Sequence, residues 1–362
     1  MKKSVSAILV AALWLVLTAM AWFLPARETS VAERRPLAQM PQADVKDVLN
    51  GSFMDEFEDY ALDQFPLRDS FRQIKSLFHY YVLGQKDNNG IYLYQGYAAK
   101  QEYPLKEASV SHALERFQYL YEKYLTESDV YMAVVPDKGY YLAEQAGQLS
   151  MDYERLFSLM EEGMPWATHI DLTQSLTLED YYRTDTHWRQ ECLLDTAALV
   201  CQAMGVTSPQ ESDYVPTTLS RPFYGVYYGQ AALPMEPDSI QLMTSDLLDN
   251  CTVYDYETGK TSAVYNLDKL DSPDLYDVFL SGARSLLTIE NTQAATDREL
   301  IVFRDSFGSS LVPLLVQDYA KVTLVDIRYV RIDLLDQFLD FHGQDVLMLY
   351  STLVLNSSST IR

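Results

Sequence analysis

Two short segments of the sequence carry residue types that could perform nucleophilic chemistry. One reads Asp185-Thr186-His187-Trp188, and the other contains Ser306 directly after an apolar run. An aspartate two residues before a histidine can reach Nδ1 of the imidazole, which leaves Nε2 free to accept a proton from a hydroxyl. Asp185, His187 and Ser306 therefore suit acyl transfer through a serine nucleophile, provided that the fold brings the two segments together.

Each segment also has an ordinary structural interpretation. A serine after a strand often caps the next helix, and Asp185 or Thr186 could cap a helix that follows Trp188. A metal site formed by Asp185, His187 and Asp305 is a further alternative, although no third ligand has a diagnostic spacing. We expect neither a metal nor a cofactor.

A strand–helix–strand pattern surrounds the serine segment. Residues 300–303 and 322–325 are typical of buried strands, and residues 311–319 predict a short helix between them. Two buried strands with a helical crossover form a parallel sheet, so Ser306 would lie at its carboxyl edge. Backbone N–H groups of the following turn would then point at an oxyanion beside Ser306. Further strands are predicted at 130–135 and 346–349, and a further helix at 110–125.

The histidine segment is expected to open a helix. Apolar residues between positions 193 and 204 recur at helical spacing and stop at Gly205. The N-terminus of such a helix disfavours imidazolium, so it would help to keep His187 neutral. Residues 206–298 are richer in Pro, Gly, Tyr and Asp, which indicates an insertion or a smaller β-rich subdomain. These elements predict the α/β fold class.

The N-terminal segment predicts export from the cytoplasm. Lys2 and Lys3 precede an uncharged apolar run over residues 5–24, which would span about 30 Å as a helix. An uncleaved membrane anchor, a cleaved signal peptide and a buried core helix are the three alternatives, and Ala19-Met20-Ala21 resembles a cleavage site. Residues 27–50 indicate a tether, and residues 51–362 an extracytoplasmic body that is membrane-bound, or secreted after cleavage.

Several short motifs, in chain order, resemble those of the DHHW family and the related AlgX/AlgJ-like alginate O-acetyltransferases. Besides the two segments above, they are FPLRD at 65–69, GIYLY at 90–94, VPDK at 135–138, FYG at 223–225, TIEN at 288–291 and VDIRY at 325–329. The sequence departs from the family pattern at Thr186, where the second histidine of the family name would stand. It also departs at Arg304, where an apolar or small residue is more usual.

The resemblance implies an SGNH-hydrolase-like three-layer α/β sandwich around a parallel central sheet. It assigns Ser306 as nucleophile, His187 as general base and Asp185 as the carboxylate that orients the base. The order of these residues in the chain would be a permuted version of the classical SGNH order. The implied reaction moves an acetyl group to Ser306 and then to a hydroxyl of a cell-surface polysaccharide.

The resemblance also implies a partner, because the acetyl group would arrive through a multi-spanning membrane O-acyltransferase. Two other functions stay open at this point. One is a glycan or small-ester deacetylase with the same triad, in which water takes the acetyl group. The other is a non-catalytic accessory protein that binds glycan or a membrane O-acyltransferase.

Charge limits the choice of polymer. The chain has 28 Lys and Arg against 51 Asp and Glu, a net charge of −23, which excludes general nucleic-acid binding. Without Lys2 and Lys3 the body carries −23 − 2 = −25, so we expect a neutral or weakly charged polysaccharide. Tyr224, Tyr227 and Tyr228 are candidates for a sugar platform, with ordinary packing as the alternative.

Overall fold

The computed structural model describes residues 2–362, which divide into two compact units. The N-terminal unit runs to Asn89 and includes Tyr228–Met235. The second unit comprises Gly90–Tyr227 and Glu236–Arg362, and it contains both sequence segments with candidate catalytic residues.

Helices and one short hairpin form the N-terminal unit. Its elements are α1 (Lys2–Phe23), β1 (Thr29–Ser30), β2 (Arg35–Pro36), α2 (Val45–Asn50), α3 (Ser52–Asp63) and α4 (Arg68–Leu77), and a π-helical turn at Phe78–Val82 extends α4. The predicted tether, residues 27–50, thus contains the hairpin and α2. Among the described residues, Val5–Phe23 in α1 is the helix long and apolar enough to cross a membrane, a property that N-terminal signal sequences share.

The second unit contains twelve strands, eight of which form one sheet. In chain order they are β3 (Ile91–Tyr94), β4 (Tyr97–Lys100), β5 (Val130–Val135), β6 (Thr168–Ile170), β7 (Val215–Thr218), β8 (Gln241–Thr244), β9 (Cys251–Asp255), β10 (Lys260–Ser262), β11 (Leu286–Asn291), β12 (Arg298–Arg304), β13 (Tyr319–Val325) and β14 (Asp345–Ser351). The large sheet has the order β10-β9-β11-β13-β12-β14-β5-β6, while β3–β4 and β7–β8 form separate antiparallel pairs.

The central sheet is mixed. Strands β13, β12, β14, β5 and β6 run parallel. The sequence predicted the first four of these strands and did not predict β6. Strands β11, β9 and β10 add an antiparallel edge that the sequence did not predict. All three come from the region 206–298, and β9 and β10 are joined by a short hairpin, which requires antiparallel pairing. The prediction of a parallel central sheet is therefore confirmed for most of the sheet, and the edge formed by residues 206–298 is antiparallel.

Helices cover both faces of the sheet, which gives three layers. The helices of this unit are α5 (Glu107–Leu120), α6 (Lys138–Leu142), α7 (Tyr153–Gly163), α8 (Leu194–Met204), α9 (Val226–Ala231, which continues into the N-terminal unit), α10 (Asp246–Asp249), α11 (Gly308–Leu311) and α12 (Thr352–Leu355). Alternate residues of β12 show the layering: Leu300 and Val302 pack in the cluster with α8 and α11, and Ile301 and Phe303 in the cluster with α5 and α7.

The predicted strand–helix–strand unit is present, with one shift. Strands β12 and β13 are parallel neighbours. The helix between them begins at Gly308 and continues as a 3₁₀ turn at Val312–Leu315, instead of covering residues 311–319. The turn starts early because Ser309 N–H already donates to Ser306 O, and the following chain enters β13 at Tyr319.

Candidate active site

Ser306 lies at the carboxyl edge of the parallel strands, in the turn between β12 and α11. The turn is fixed by Asp305, whose Oδ1 accepts from Phe307 N–H at 3.0 Å. Its Oδ2 accepts from Ser351 N–H, at the end of β14, at 2.8 Å. A buried carboxylate thus attaches the serine turn to the neighbouring strand, so the position of Ser306 is set by the sheet itself.

Ser306, His187 and Asp185 are in hydrogen-bonding contact. His187 Nε2 is 2.8 Å from Ser306 Oγ, and His187 Nδ1 is 2.6 Å from Asp185 Oδ1. The carboxylate fixes the proton of the neutral ring on Nδ1, so Nε2 accepts from the serine hydroxyl. Asp185 and His187 are buried, whereas Ser306 is partly exposed and can be reached from solvent.

The histidine segment and the residues just before it form a tight reversal of the chain, residues 181–188, which we call the histidine loop. This loop does not open a helix. Tyr182 N–H donates to His187 O at 3.0 Å, and Tyr181 pairs with Trp188 as an isolated β-bridge. Helix α8 begins only at Leu194, although it ends at Gly205 as predicted. The expectation of a helix N-terminus at His187 was therefore wrong, because α8 begins at Leu194. The predicted contact of the Asp185 carboxylate with His187 Nδ1 is present.

Asp185 is held by backbone donors on both of its oxygens. Oδ1 also accepts from His187 N–H at 3.1 Å, and Oδ2 accepts from Val226 N–H at 2.8 Å. Val226 can approach because Gly225 lies directly against Asp185, where a side-chain Cβ would come within 2.3 Å of Asp185 Cα. Gly225 is thus required for the close backbone approach that brings the Val226 N–H to the carboxylate.

The residues just before Asp185 are fixed by a second carboxylate and by a lysine. Asp238 accepts from Thr184 N–H at 2.8 Å, from Thr184 Oγ1 at 2.6 Å and from Arg183 N–H at 3.0 Å. On the other side, Lys138 Nζ donates to Tyr182 O at 2.9 Å and to Arg183 O at 3.2 Å. These bonds satisfy main-chain groups of a loop that would otherwise be free to move.

Lys138 is buried, and its Nζ lies 5.0 Å from the centre of the Tyr227 ring. Burial lowers the pKa of this amine to about 7, although the nearby carboxylates of Asp185, Asp238 and Asp137 act in the opposite direction. Its head group is therefore a titratable group close to neutral pH beside the site. The VPDK motif drew attention to this residue, but the sequence did not indicate that it binds the carbonyl groups of the histidine loop.

Aromatic residues enclose the imidazole. The Tyr276 ring stacks on His187 with a centroid distance of 3.9 Å and an angle of 7°, and its hydroxyl is 2.8 Å from Ser310 Oγ. Trp188 Nε1–H donates to Phe307 O at 3.1 Å and to Ser310 Oγ at 2.9 Å. These bonds join the histidine loop to the serine turn. Tyr276 was missed because it lies in a 3₁₀ turn of the Tyr-rich region with no motif around it.

The amides expected to stabilise an oxyanion are already used inside the turn. Phe307 N–H binds Asp305 Oδ1, Gly308 N–H donates to Asp305 O, and Ser309 N–H donates to Ser306 O. In this structure these three amides bind acceptors within the turn, and the stabilisation of an oxyanion by backbone amides beside Ser306 stays a prediction.

The geometry bears on two other interpretations of these residues, a helix cap at Ser306 and a metal site at Asp185, His187 and Asp305. No side-chain hydrogen bond caps the first turn of α11, and Ser306 Oγ is directed at His187. Within residues 2–362, no group of three His, Cys, Asp or Glu side chains is arranged to hold a metal ion. Asp305, the third member of the metal alternative, binds the two backbone amides described above.

Arg304, at the end of β12, is completely buried. Its Nη1 donates to Ser309 Oγ at 3.1 Å and to Asp305 O at 3.3 Å, and burial lowers its pKa. Its Nε and Nη2 have no hydrogen-bond partner among the described residues. The residue that departs from the family pattern is thus a cation behind the serine turn.

The three tyrosines named from the sequence lie in different environments. Tyr224 is exposed, so its ring is open to solvent. Tyr227 is buried, and its hydroxyl donates to Thr186 Oγ1 at 3.1 Å, so its contact is with the histidine loop. Tyr228 is half-buried and belongs to the N-terminal unit.

Solved structures with a similar fold are known. The crystal structure of a DHHW family protein from Eubacterium siraeum DSM 15702 aligns with a TM-score of 0.62 at 20 % identity, over 76 % of this chain and 95 % of that chain. Bacillus cereus PatB1, solved with a sulfonyl adduct, aligns with a TM-score of 0.59 at 18 % identity, over 73 % of this chain and 94 % of that chain. The O-acetyltransferase domain of Pseudomonas putida AlgJ aligns with a TM-score of 0.47 at 13 % identity, over 74 % and 92 % of the two chains.

The first two alignments show that this chain has the fold of the DHHW family protein and of PatB1. The resemblance inferred from short motifs is thereby confirmed at the level of the fold. No protein-family model matches the sequence, and no curated protein sequence matches it.

Proposed function

We propose that this chain is an extracytoplasmic O-acetyltransferase of the DHHW type that acts on a cell-surface polysaccharide. The observation that supports this most directly is the pair of contacts from His187, at 2.8 Å to Ser306 Oγ and at 2.6 Å to Asp185 Oδ1. In this proposal Ser306 is the nucleophile, His187 the general acid and base, and Asp185 the residue that orients and stabilises the ring.

The first half of the reaction acylates the serine. Ser306 Oγ attacks the carbonyl carbon of the acetyl donor while its proton moves to His187 Nε2. The bond from the acetyl carbon to the leaving group then breaks, and the leaving group takes the proton from Nε2. Asp185 lowers the cost of the transient imidazolium, because its carboxylate lies against Nδ1–H in a buried site.

The second half transfers the acetyl group to the polysaccharide. A sugar hydroxyl gives its proton to His187 Nε2 and attacks the acetyl carbon, and the Ser306 Oγ–carbon bond breaks. Ser306 recovers its proton from Nε2, so the enzyme returns to its starting state. Water in place of the sugar would make the same site a deacetylase, and nothing in the triad itself separates the two acceptors.

The class of polysaccharide that we propose rests on the net charge of the body and on its exposed aromatic surface. A body at −25 repels a polyanion, so we propose a neutral or weakly charged polysaccharide, with Tyr224 as the candidate for stacking on a sugar ring. The partner that delivers acetyl groups would be a multi-spanning membrane O-acyltransferase, and the apolar helix α1 is compatible with tethering the body near it.

The experiment compares the full chain with its Ser306→Ala variant. Each protein is incubated with 4-nitrophenyl acetate and a neutral oligosaccharide, and intact-mass spectrometry follows acetyl groups on protein and sugar. We expect an acetyl adduct on the native protein alone, followed by acetylated sugar. Acetate release without labelled sugar would favour a deacetylase. An equal adduct on the Ser306→Ala variant, or none on either folded protein, would contradict the triad.

A sulfonyl fluoride gives an independent test, since PatB1 has been solved with a sulfonyl adduct. The proposal predicts one sulfonyl group on Ser306, located by peptide mass mapping. Thr352→Ser serves as a control for unspecific reaction with hydroxyl groups. Thr352 Oγ1 is buried and donates to Asp137, so a serine at this position should stay unmodified.

A further inference from the structure

Helix α4 and the π-helical turn after it turn their apolar side outward and their polar side toward the protein. This is the reverse of an ordinary surface helix of a soluble protein. The apolar residues of α4 and this turn recur at helical spacing and face outward, with Ile74 62 %, Tyr81 64 % and Val82 67 % exposed. Phe71 and Phe78 belong to the same exposed stripe. A continuous apolar stripe of this length on the surface marks a site that is covered by something apolar.

The polar side of the same helix is turned into the protein. Arg68 pairs with Glu33 and lies 3.3 Å from Asp63, and Arg72 Nη2 is 3.3 Å from Glu33 Oε1. Ser76 is buried, and its Oγ accepts from Asn88 Nδ2 at 2.8 Å. The helix cannot rotate to hide its apolar side without breaking these pairs, so the exposure of that side is fixed by the fold.

The end of α1 lies against the beginning of α4. Arg27 N–H donates to Gln64 Oε1 at 2.8 Å, and Arg27 Nη1 is 3.4 Å from Asp69 Oδ2. Met20 and Leu24 line one pocket together with residues 64–70. A helix that starts where a membrane-spanning segment leaves the bilayer begins at the membrane surface.

We propose that α4 and its π-helical extension lie in the interface of the membrane that α1 spans, with the apolar stripe among the lipid chains. Residues 68–82 would form a segment about 22 Å long parallel to the surface. Phenylalanine and tyrosine suit this depth, because their rings bury apolar area while the tyrosine hydroxyl stays near the head groups. A lipid surface is favoured over a protein partner because the first residues of α4 lie against the end of the apolar helix α1.

The test uses spin labels on single introduced cysteines, Ile74→Cys and Tyr81→Cys, in the full chain reconstituted into phosphatidylcholine–phosphatidylglycerol nanodiscs. Native Cys192, Cys201 and Cys251 are free thiols whose pKa values burial raises to about 11, 12 and 11, so they label slowly at neutral pH. Trp14→Cys serves as the bilayer reference, and exposed Tyr329→Cys in the second unit as the aqueous reference.

Accessibility to O₂ and to a water-soluble nickel chelate gives the depth of each label. We expect labels at 74 and 81 to collide several-fold more with O₂ than with nickel, as at position 14 and opposite to position 329. Nickel access equal to that at position 329 would overturn the proposal. Labels that neither reagent reaches would also overturn it, since a protein partner or a second copy would then cover the stripe. Water access at position 14 would remove the span on which the proposal depends. None of these results depends on the chemistry of Ser306.

Discussion

Helix α5 in the second unit and helix α4 in the N-terminal unit have the same apolar periodicity but opposite orientations. In α5 the residues Val110, Phe117 and Leu120 are buried in the cluster that covers the sheet. In α4 the equivalent stripe faces outward, and Arg68 and Ser76 face the protein. Periodicity therefore identifies a one-sided helix, but it does not tell which side the rest of the protein covers.

The difference shows how each unit uses polar groups. In the second unit, the buried Asp185 and Asp305 and the half-buried Asp238 bind backbone amides and hold the loops of the site. In the N-terminal unit, ion pairs on the inner side of α4 hold an apolar surface outward. Perturbing each pattern should therefore affect different properties of the protein.

The strongest effect is expected where a buried carboxylate is neutralised. Asp185→Asn preserves shape but removes the charge against His187 Nδ1 and favours the wrong ring tautomer. We expect acetyl transfer to fall by about 10⁴-fold with little change in melting temperature. Initial rates of 4-nitrophenyl acetate turnover measure the loss. A reduction below tenfold would show that Asp185 does not act on the histidine.

A charged residue placed on each helix compares them directly. Phe117→Asp puts an unpaired carboxylate into the core beside β14 and should destabilise the second unit by ~4 kcal/mol or more. Ile74→Asp, on the exposed stripe, should change the stability of the second unit by less than ~0.5 kcal/mol. Thermal unfolding followed by near-ultraviolet circular dichroism reports both values. Equal losses would contradict the contrast between the helices.

Gly225→Ala tests the backbone contact that holds Asp185. The added Cβ would come within 2.3 Å of Asp185 Cα, so the carboxylate must shift away from His187. Because small displacements of a catalytic group are costly, we expect acetyl transfer to fall by about 10²-fold. The matched control is Gly163→Ala, where the atoms nearest to the added Cβ belong to the flexible Leu114 side chain. A similar loss of activity in both variants would indicate general destabilisation.

Lys138→Met should alter the pH dependence of stability. The folded pKa of about 7 lies below the ordinary value of 10.5, so between these values the unfolded chain binds more protons than the folded chain. The stability of the native protein relative to Lys138→Met should therefore rise from pH 7 toward pH 10.5, by at most about 1.4 kcal/mol per pH unit. Denaturant unfolding across this range measures the slope. A flat profile would mean that Lys138 has an ordinary pKa in the folded protein.

Much of the site could be predicted from local sequence. The spacing of Asp185 and His187 and the position of Ser306 after a buried strand are local features, and the structure brings the three into contact. The role of Gly225, the stacking of Tyr276 and the use of Lys138 depend on residues distant in the chain. No local sequence pattern predicts such contacts, because the two partners come close to each other only when the chain folds.

The fold likewise has features that the local sequence predicts and others that it does not predict. The strands at 130–135, 300–303, 322–325 and 346–349 follow from short apolar runs, and their parallel pairing follows from the crossover between β12 and β13. The antiparallel edge was not predictable from those runs, because pairing of β9, β10 and β11 is chosen by the sheet they join. The sequence also suggested a helix at His187, where hydrogen bonds across the loop favour a reversal instead.

The sequence by itself determined the elements that depend on neighbouring residues: the apolar N-terminal helix, the buried strands, and the order of Asp185, His187 and Ser306 in the chain. Only the tertiary structure decided which acceptors the amides of the serine turn bind, which ring stacks on the histidine, and which side of α4 faces outward. The physical reason is that periodicity and turn propensity are properties of short segments. Burial, hydrogen-bond partners and the medium outside a helix are set by groups that the chain brings together only when it folds.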